Sequence, residues 1–407
     1  MSINNQLNSI YPQASPPKKS EKSVLNKRKY HRYNWLFLLS ALLPVVAVGL
    51  FNIVVDPYDV FKTPKFWGIN HSKPRKDNND RLFKATDIIR IKPVTILLGS
   101  SRTKRALDPN HPALENNQPA YNLSLDNPNV YELRRYLEHA IANQKKLDLV
   151  IIGLDFFIFN SLIGTRQSFS EQRLEKKYII LEDLLNITFS LDALVASQET
   201  VIDSNKNLPN NIFDGENGFI PYLNVDPKKT KSRFEKIMNN YYEGYYTTYQ
   251  LSNQLLDEFK KVVDLCKKNQ IKLISYISPA HATQWEIIKS SGQWSTFEEW
   301  KRKIVEISDV FDFYGYNSIT TEPIHNDMEN YRENSHYTPK VGNLILNRLL
   351  SYKEEEVPQD FGILINSENI ESHLTKIRQD REIWAKNHPG EVKLVKEIKQ
   401  KFDASLN

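Results

Sequence analysis

The chain carries a single cysteine, Cys266, among its 407 residues. An internal disulfide is therefore excluded, and cysteine usage says nothing about redox compartment. Cys266 falls on one helical face with Leu251, Leu255, Phe259, Val262 and Val263, where a thiol packs rather than reacts. No spacing of His, Cys and Asp suggests a metal site. The formal net charge is only +5, too mild to imply nucleic-acid binding. There is no internal repeat, and only one apolar run is long enough to cross a bilayer. Charged residues at 25% and hydrophobic ones at 40% fit a globular protein with additional parts.

Much of the basic excess is local. Lys18, Lys19, Lys22, Lys27, Arg28, Lys29 and Arg32 lie in one tract with only Glu21 against them. Residues 1–34 are polar and lack apolar period, so they are expected to be a disordered basic cytoplasmic tail. Residues 35–55 carry no charge, and as a helix they span roughly 31 Å, the depth of a bilayer core. Pro44 and Asn52 interrupt this run but are tolerated in membrane helices. A buried helix of a soluble domain would carry a polar face, and this one has almost none. A cleaved signal peptide would have a shorter apolar core and a shorter leader. The expectation is an uncleaved single-pass anchor. Its basic flank precedes the span and Asp56 and Asp59 come after it, which puts the N-terminus in the cytoplasm and the rest outside, in the periplasm or its equivalent.

Residues 56–79 are Pro-, Lys- and Asn-rich and are expected to form a stalk. From 80 to 352 the pattern is α/β. Short apolar runs at 94–98, 120–123, 147–154, 272–277 and 310–314 are expected strands, separated by helical spacings such as Val130, Leu133, Leu137 and Ile141. This alternation argues a parallel sheet with right-handed crossovers. Residues 160–245 break the rhythm and are expected to be an insertion that caps or lines a site. Residues 353–407 are charged and helix-prone, with no core pattern of their own.

The chain is organised around residues 94–108, VTILLGSSRTKRALD. Ser101 comes directly after a buried strand, at the sheet edge where open α/β sheets bind ligands. It is not a G-x-S-x-G elbow, because Thr103 stands where the second glycine belongs. Ser101 and Lys104 match S-x-x-K, but the S-D-N and K-T-G partners of that class are absent; a Ser–Lys pair stays open as an alternative. Far downstream, His336 stands three residues after Glu333. Imidazole is the side chain best suited to take a serine proton near neutral pH, and a carboxylate fixes its tautomer. His281 is a candidate cleft residue, and Arg102 and Arg105 are candidate ligands for an anionic substrate. Asp312 is a candidate support for His336. Tyr241, Tyr242, Tyr245 and Tyr246 form either a sugar-stacking surface or core.

Four blocks now stand together: Gly99-Ser100-Ser101, Tyr121-Asn122-Leu123-Ser124, Gly153-Leu154-Asp155 and Glu333-x-x-His336. They resemble the blocks of the SGNH/GDSL hydrolases over residues 94–350, apart from the insertion. The chain is most similar to the divergent membrane-anchored branch that includes the alginate O-acetylation proteins and the teichoic-acid D-alanylation protein, which also carries Gly-Ser-Ser. The resemblance implies a flavodoxin-like three-layer α/β/α fold with a parallel sheet and acyl or ester transfer without a cofactor. It implies Ser101 as nucleophile, His336 as base and Glu333 as the supporting acid. It places the backbone N–H groups of Ser101 and Ser124 as oxyanion donors, with Asn122 as a substitute, and puts Asp155 where the family has an asparagine. An ionised carboxylate cannot donate to an oxyanion. If Asp155 faces the oxyanion, Asp155→Asn is expected to raise ester hydrolysis.

Two readings are open. One is a membrane-anchored serine acyltransferase or esterase acting on an envelope glycan or a lipid-linked acyl group. The other is an SGNH-fold binding or scaffold protein of an envelope assembly. The expected partners are the lipid bilayer, an envelope polysaccharide or acyl-carrier substrate, and a membrane acyltransferase. Nucleic acid is not among them.

Overall fold

The computed structural model describes residues 21–206, 217–222 and 226–406. It opens with one helix, α1 (Glu21–Val55). Residues 21–34, expected as part of a disordered tail, form its first turns; residues 1–20 lie outside the described residues. Glu, Leu, Lys and Arg are good helix formers, and extending an existing helix costs far less than starting one. Within α1, Lys29–Val55 is long and apolar enough to cross a bilayer. Side chains from Trp35 to Leu43 stand exposed along it.

The expected stalk is instead a packed connector. Asp56 accepts the backbone N–H groups of Val60 (2.8 Å) and Phe61 (3.1 Å), and Lys73 Nζ donates to the Asp56 carbonyl at 2.6 Å. Lys76 Nζ reaches Asp59 at 2.7 Å. Arg90 Nη1 donates to the Val60 carbonyl at 3.2 Å and Lys62 Nζ lies 3.4 Å from Asp87, which ties the connector to the α/β unit that follows.

That unit begins with α2 (Asp80–Ile91), β1 (Thr95–Leu98) and α3 (Ser101–Ala106). Strand β2 (Ala120–Asn122), α4 (Val130–Asn143) and β3 (Leu149–Leu154) come next. The insertion supplies α5 (Glu171–Leu174), α6 (Leu181–Phe189), α7 (Leu191–Asn205) and α8 (Thr230–Tyr241). Ser190 separates α6 from α7: its backbone is extended and its Oγ accepts from Ala193 N–H at 3.0 Å, a serine N-cap. The alternation resumes with α9 (Asn253–Lys268), β4 (Lys272–Ile277), α10 (Ala282–Ser290), α11 (Trp294–Ile307), β5 (Val310–Asp312) and α12 (Pro339–Leu349). Strand β6 (Ile363–Ile365), α13 (Ile370–Asn387) and α14 (Pro389–Ser405) complete the chain.

The six strands form one sheet in the order β2-β1-β3-β4-β5-β6. All neighbours are parallel except β5 and β6. Strands β1 and β3 are buried along their whole length, which is why they read as unbroken apolar runs rather than alternating ones. The strand order reverses at β1, and open α/β sheets bind ligands beyond the carboxyl end of the strand where this happens. The register pairs Leu98 with Ile152, which brings Ser100, Ser101 and Asp155 to that edge together.

The C-terminal extension does have a core pattern. Ile365, Leu374, Ile377, Val395, Ile398 and Phe402 are buried in the main cluster. Their spacing is diluted by charged residues on the outer faces, which hid it in the sequence.

Two glycines let the site elements close up. A Cβ on Gly99 or Gly153 would lie 2.3 Å or 2.5 Å from Thr103 Oγ1, so both make room for that side chain behind the turn that carries Ser101. Gly342, in the first turns of α12, lies against the Ala106 carbonyl of α3; a Cβ there would be 1.9 Å from the oxygen. Gly342→Ala must push α12 off α3. Overpacking of this kind costs about 1–3 kcal/mol, and a fall in the midpoint of thermal unfolding is the expected result.

Candidate active site

Ser101 is the first residue of α3, capped by Ser100, whose Oγ accepts from Arg102 N–H. The half-buried Ser101 Oγ lies 2.9 Å from His336 Nε2. His336 sits at the end of a tight turn closed by Arg332 N–H to the His336 carbonyl (2.9 Å) and by a bridge between Tyr331 and Tyr337. Glu333, inside the turn, accepts from the backbone N–H groups of Ser335 (3.0 Å) and His336 (2.9 Å), and its Oε1 contacts His336 Nδ1. Burial pushes the Glu333 carboxyl up, but His336 and these donors outweigh it and hold it below its ordinary range. An ionised carboxylate only accepts, so Nδ1 carries the proton and Nε2 is left to accept from Ser101. The structure thus brings Ser101, His336 and Glu333 together.

The supporting residues are placed differently from expectation. Arg102 is not open to substrate. It is buried, with Nη1 on Asp155 Oδ1 at 2.7 Å, Nε on Ser335 Oγ at 3.1 Å and Nη2 on the Tyr241 hydroxyl at 3.3 Å. Asp155 takes the Ser100 hydroxyl on its other oxygen at 2.6 Å. Both oxygens are committed, so Asp155 ties β3 to the Ser100–Ser101 turn rather than standing free. The expected gain from Asp155→Asn is replaced by an expected loss of stability.

Arg105 is also consumed, by Asp77, by Asp126 (3.4 Å) and by the Ile220 carbonyl (3.1 Å). Lys104 is buried against Asp77 (2.8 Å), Asp80 (3.2 Å) and Asp126. Burial lowers its pKa, but the three carboxylates raise it further, so it is a fixed cation and not a base for Ser101. His281 is buried as the N-cap of α10: Nε2 meets the Glu322 carbonyl at 2.7 Å, Nδ1 accepts from Thr283, and its backbone N–H donates to the Asn334 carbonyl at 3.1 Å. Asp312 pairs with Lys301 and His373, not with His336. Tyr241, Tyr242 and Tyr246 are buried, so that cluster is core.

Asn122 and Ser124 occupy each other. Asn122 Oδ1 accepts the Ser124 N–H at 3.1 Å, while its Nδ2 donates to the carbonyls of Thr103 (3.0 Å) and Leu107 (2.9 Å). Of the expected oxyanion donors, the Ser101 N–H remains, in the first turn of α3 where helix N–H groups lack intrahelical partners. Among the described residues, no group of three or more His, Cys, Asp or Glu could hold a metal ion.

Three contributors were not visible in the sequence. Lys84 Nζ is buried and donates to the carbonyls of Asn122 (2.7 Å), Ser124 (2.7 Å) and Gly218 (2.9 Å). Residues 217–222 of the insertion lie across this region, with Asn122 N–H on the Asn217 carbonyl and Ile220 N–H on the Lys104 carbonyl. Tyr222 packs edge-on to the His336 ring at 5.4 Å, and the Arg105 guanidinium lies 4.5 Å from the Tyr222 centroid. Only the position of Tyr222 within the expected site-lining insertion hinted at this.

Breaking a buried pair leaves an uncompensated charge, at about 3–5 kcal/mol. Arg102→Met and Asp155→Asn should each lower the unfolding free energy by that order, and the double variant should cost clearly less than the sum of the two. Burial depresses the His281 pKa to about 4, from ~6.5 in an unfolded chain. The unfolded state then binds the extra proton first. Stability is flat above pH ~6.5 on this account and falls by roughly 3 kcal/mol as the pH drops toward 4. Denaturant titrations across that window, with His281→Gln flattening the slope, check it. A scan of this chain against protein-family models gives no match, and a search of curated proteins gives none.

Proposed function

We propose that this chain is a membrane-anchored, SGNH-type serine acyltransferase or esterase acting on an acyl group carried by an envelope glycan or a lipid-linked donor. The observation that carries the reading is the 2.9 Å contact of Ser101 Oγ with His336 Nε2, backed by Glu333 on the other ring nitrogen. The strand order β2-β1-β3-β4-β5 supports it, being the flavodoxin-like order that the SGNH resemblance implies.

In this reading His336 takes the Ser101 proton as Oγ bonds to the acyl carbon. The Ser101 N–H faces the developing oxyanion. The imidazolium, stabilised by Glu333, then protonates the leaving alcohol as its bond to the acyl carbon breaks. Water or a sugar hydroxyl, deprotonated by His336, attacks the acyl-serine and releases Ser101. Helix α1 anchors the protein, with the basic tract and N-terminus in the cytoplasm and the α/β unit outside. There a membrane acyltransferase could hand over acyl groups.

The commitment of Ser124 N–H to Asn122 and of Asp155 to Arg102 favours a second reading, an SGNH-fold scaffold without turnover. Loss of one oxyanion donor typically costs about 100- to 1000-fold in rate. Hydrolysis of a p-nitrophenyl ester by the detergent-solubilised protein separates the two. The enzyme reading expects Ser101→Ala and His336→Ala each to lower turnover by about a thousand-fold or more, with folding retained. A folded wild-type protein that is no faster than Ser101→Ala supports the scaffold. A reporter fused after residue 360 should be active outside the cell; protection of the α/β unit on the cytoplasmic side contradicts the topology.

A further inference from the structure

Asn52 is a polar residue in the last turns of the apolar helix, and it does not face lipid. Its Nδ2 donates to the Thr188 carbonyl at 2.9 Å, and its Oδ1 accepts from Ser197 Oγ at 2.8 Å. One turn deeper, the Phe189 ring closes on Gly49 so tightly that a Cβ there would lie 2.4 Å from it. Gly49 is six residues before Val55, roughly 9 Å along the helix axis. The corner between α6 and α7 therefore meets α1 inside its apolar span.

That corner is amphipathic. Glu182, Asn186, Ser190 and Asp192 line a polar cavity of about 1210 Å³. Leu185, Phe189, Leu191 and Val195 are exposed, Leu191 by 78%. Trp67, 72% exposed, belongs to the connector loop that Asn70 fastens to the Val54 carbonyl at 3.2 Å. Tryptophan at the end of a span is the usual residue of a membrane–water boundary. A soluble surface seldom leaves so many large apolar side chains together without a partner.

We infer that the α6–α7 corner is a second membrane-contacting element, its Leu185, Phe189, Leu191 and Val195 face lying among the acyl chains of the leaflet from which α1 emerges. Such a helix pair lies in the interface with its polar face toward water. The inference rests on α1 spanning a bilayer. Its consequence is positional. The polar cavity runs from this corner to Asp77 and Asp126, the carboxylates that hold Arg105, one helical turn from Ser101. That polar cavity then opens at headgroup level, where a lipid presents its polar end.

The test uses the full chain in phosphatidylcholine/phosphatidylglycerol vesicles. Single cysteines, Leu185→Cys, Leu191→Cys and Leu43→Cys, carry an environment-sensitive fluorophore. Cys266 stays in place: burial pushes its thiol up to about 12, so it does not take the label. A lipid spin label near the headgroups should cause a loss of fluorescence at 185 and 191, and a mid-chain label a loss at 43. Unchanged fluorescence at 185 and 191 beside quenching at 43 overturns the inference, leaves the anchor standing and assigns the apolar face to a protein partner. No quenching at any of the three positions removes the anchor and the inference with it.

Discussion

The site depends on one buried ion pair. Arg102 and Asp155 meet at 2.7 Å with almost no solvent, and each holds a different part of the fold. Asp155 follows β3 and accepts from the hydroxyl of Ser100, the residue that caps α3. Arg102, next to Ser101, reaches across to Ser335, inside the turn that carries Glu333 and His336. Segments more than 230 residues apart along the chain are thereby tied at one point. A charge pair in a dry environment tolerates little displacement, because each partner alone is costly to bury. The guanidinium suits this role since its donors form a rigid planar fork that contacts three groups at once. The contact between Ser101 and His336 is thus set from behind.

The insertion and connector extend the same logic outward. Lys84 gathers three carbonyls from the β2 edge and from the insertion, and residues 217–222 end with Tyr222 against His336. On the other side, Asn52, Asp56 and Lys73 tie the end of α1 to the insertion and to the connector by buried polar contacts. A flexible stalk would let the site wander relative to a membrane. This connector is instead packed against the end of α1, with Lys73 Nζ on the Asp56 carbonyl.

Much of this was legible in the sequence. Strands buried on both faces declare themselves as apolar runs, so β1, β3 and β4 were visible, and the Gly-Ser-Ser and Glu-x-x-His blocks pointed to the residues that meet. Partnership was not legible. Arg102 beside a serine reads equally as a substrate ligand and as a buried strut, and only the fold shows Asp155 within reach. Asn122 and Ser124 each offered a donor, but their side-chain to backbone bond is a local geometry that residue identity does not reveal. Ser190 divides the insertion's apolar stretch, because its cap ends one helix and starts the next. The C-terminal segment read as helical, but its packing was missed because charges on the outer faces masked a sparse buried stripe.

The central claim is that Ser101, and not the adjacent Ser100, is an activated nucleophile. Reaction of the full-length protein with a fluorophosphonate, analysed by peptide mass spectrometry, tests it directly. The account predicts a covalent adduct on Ser101 alone, lost when His336 is replaced, because the Ser100 hydroxyl is buried on Asp155. An unlabelled Ser101 in the folded protein, or an adduct on Ser100, would contradict it.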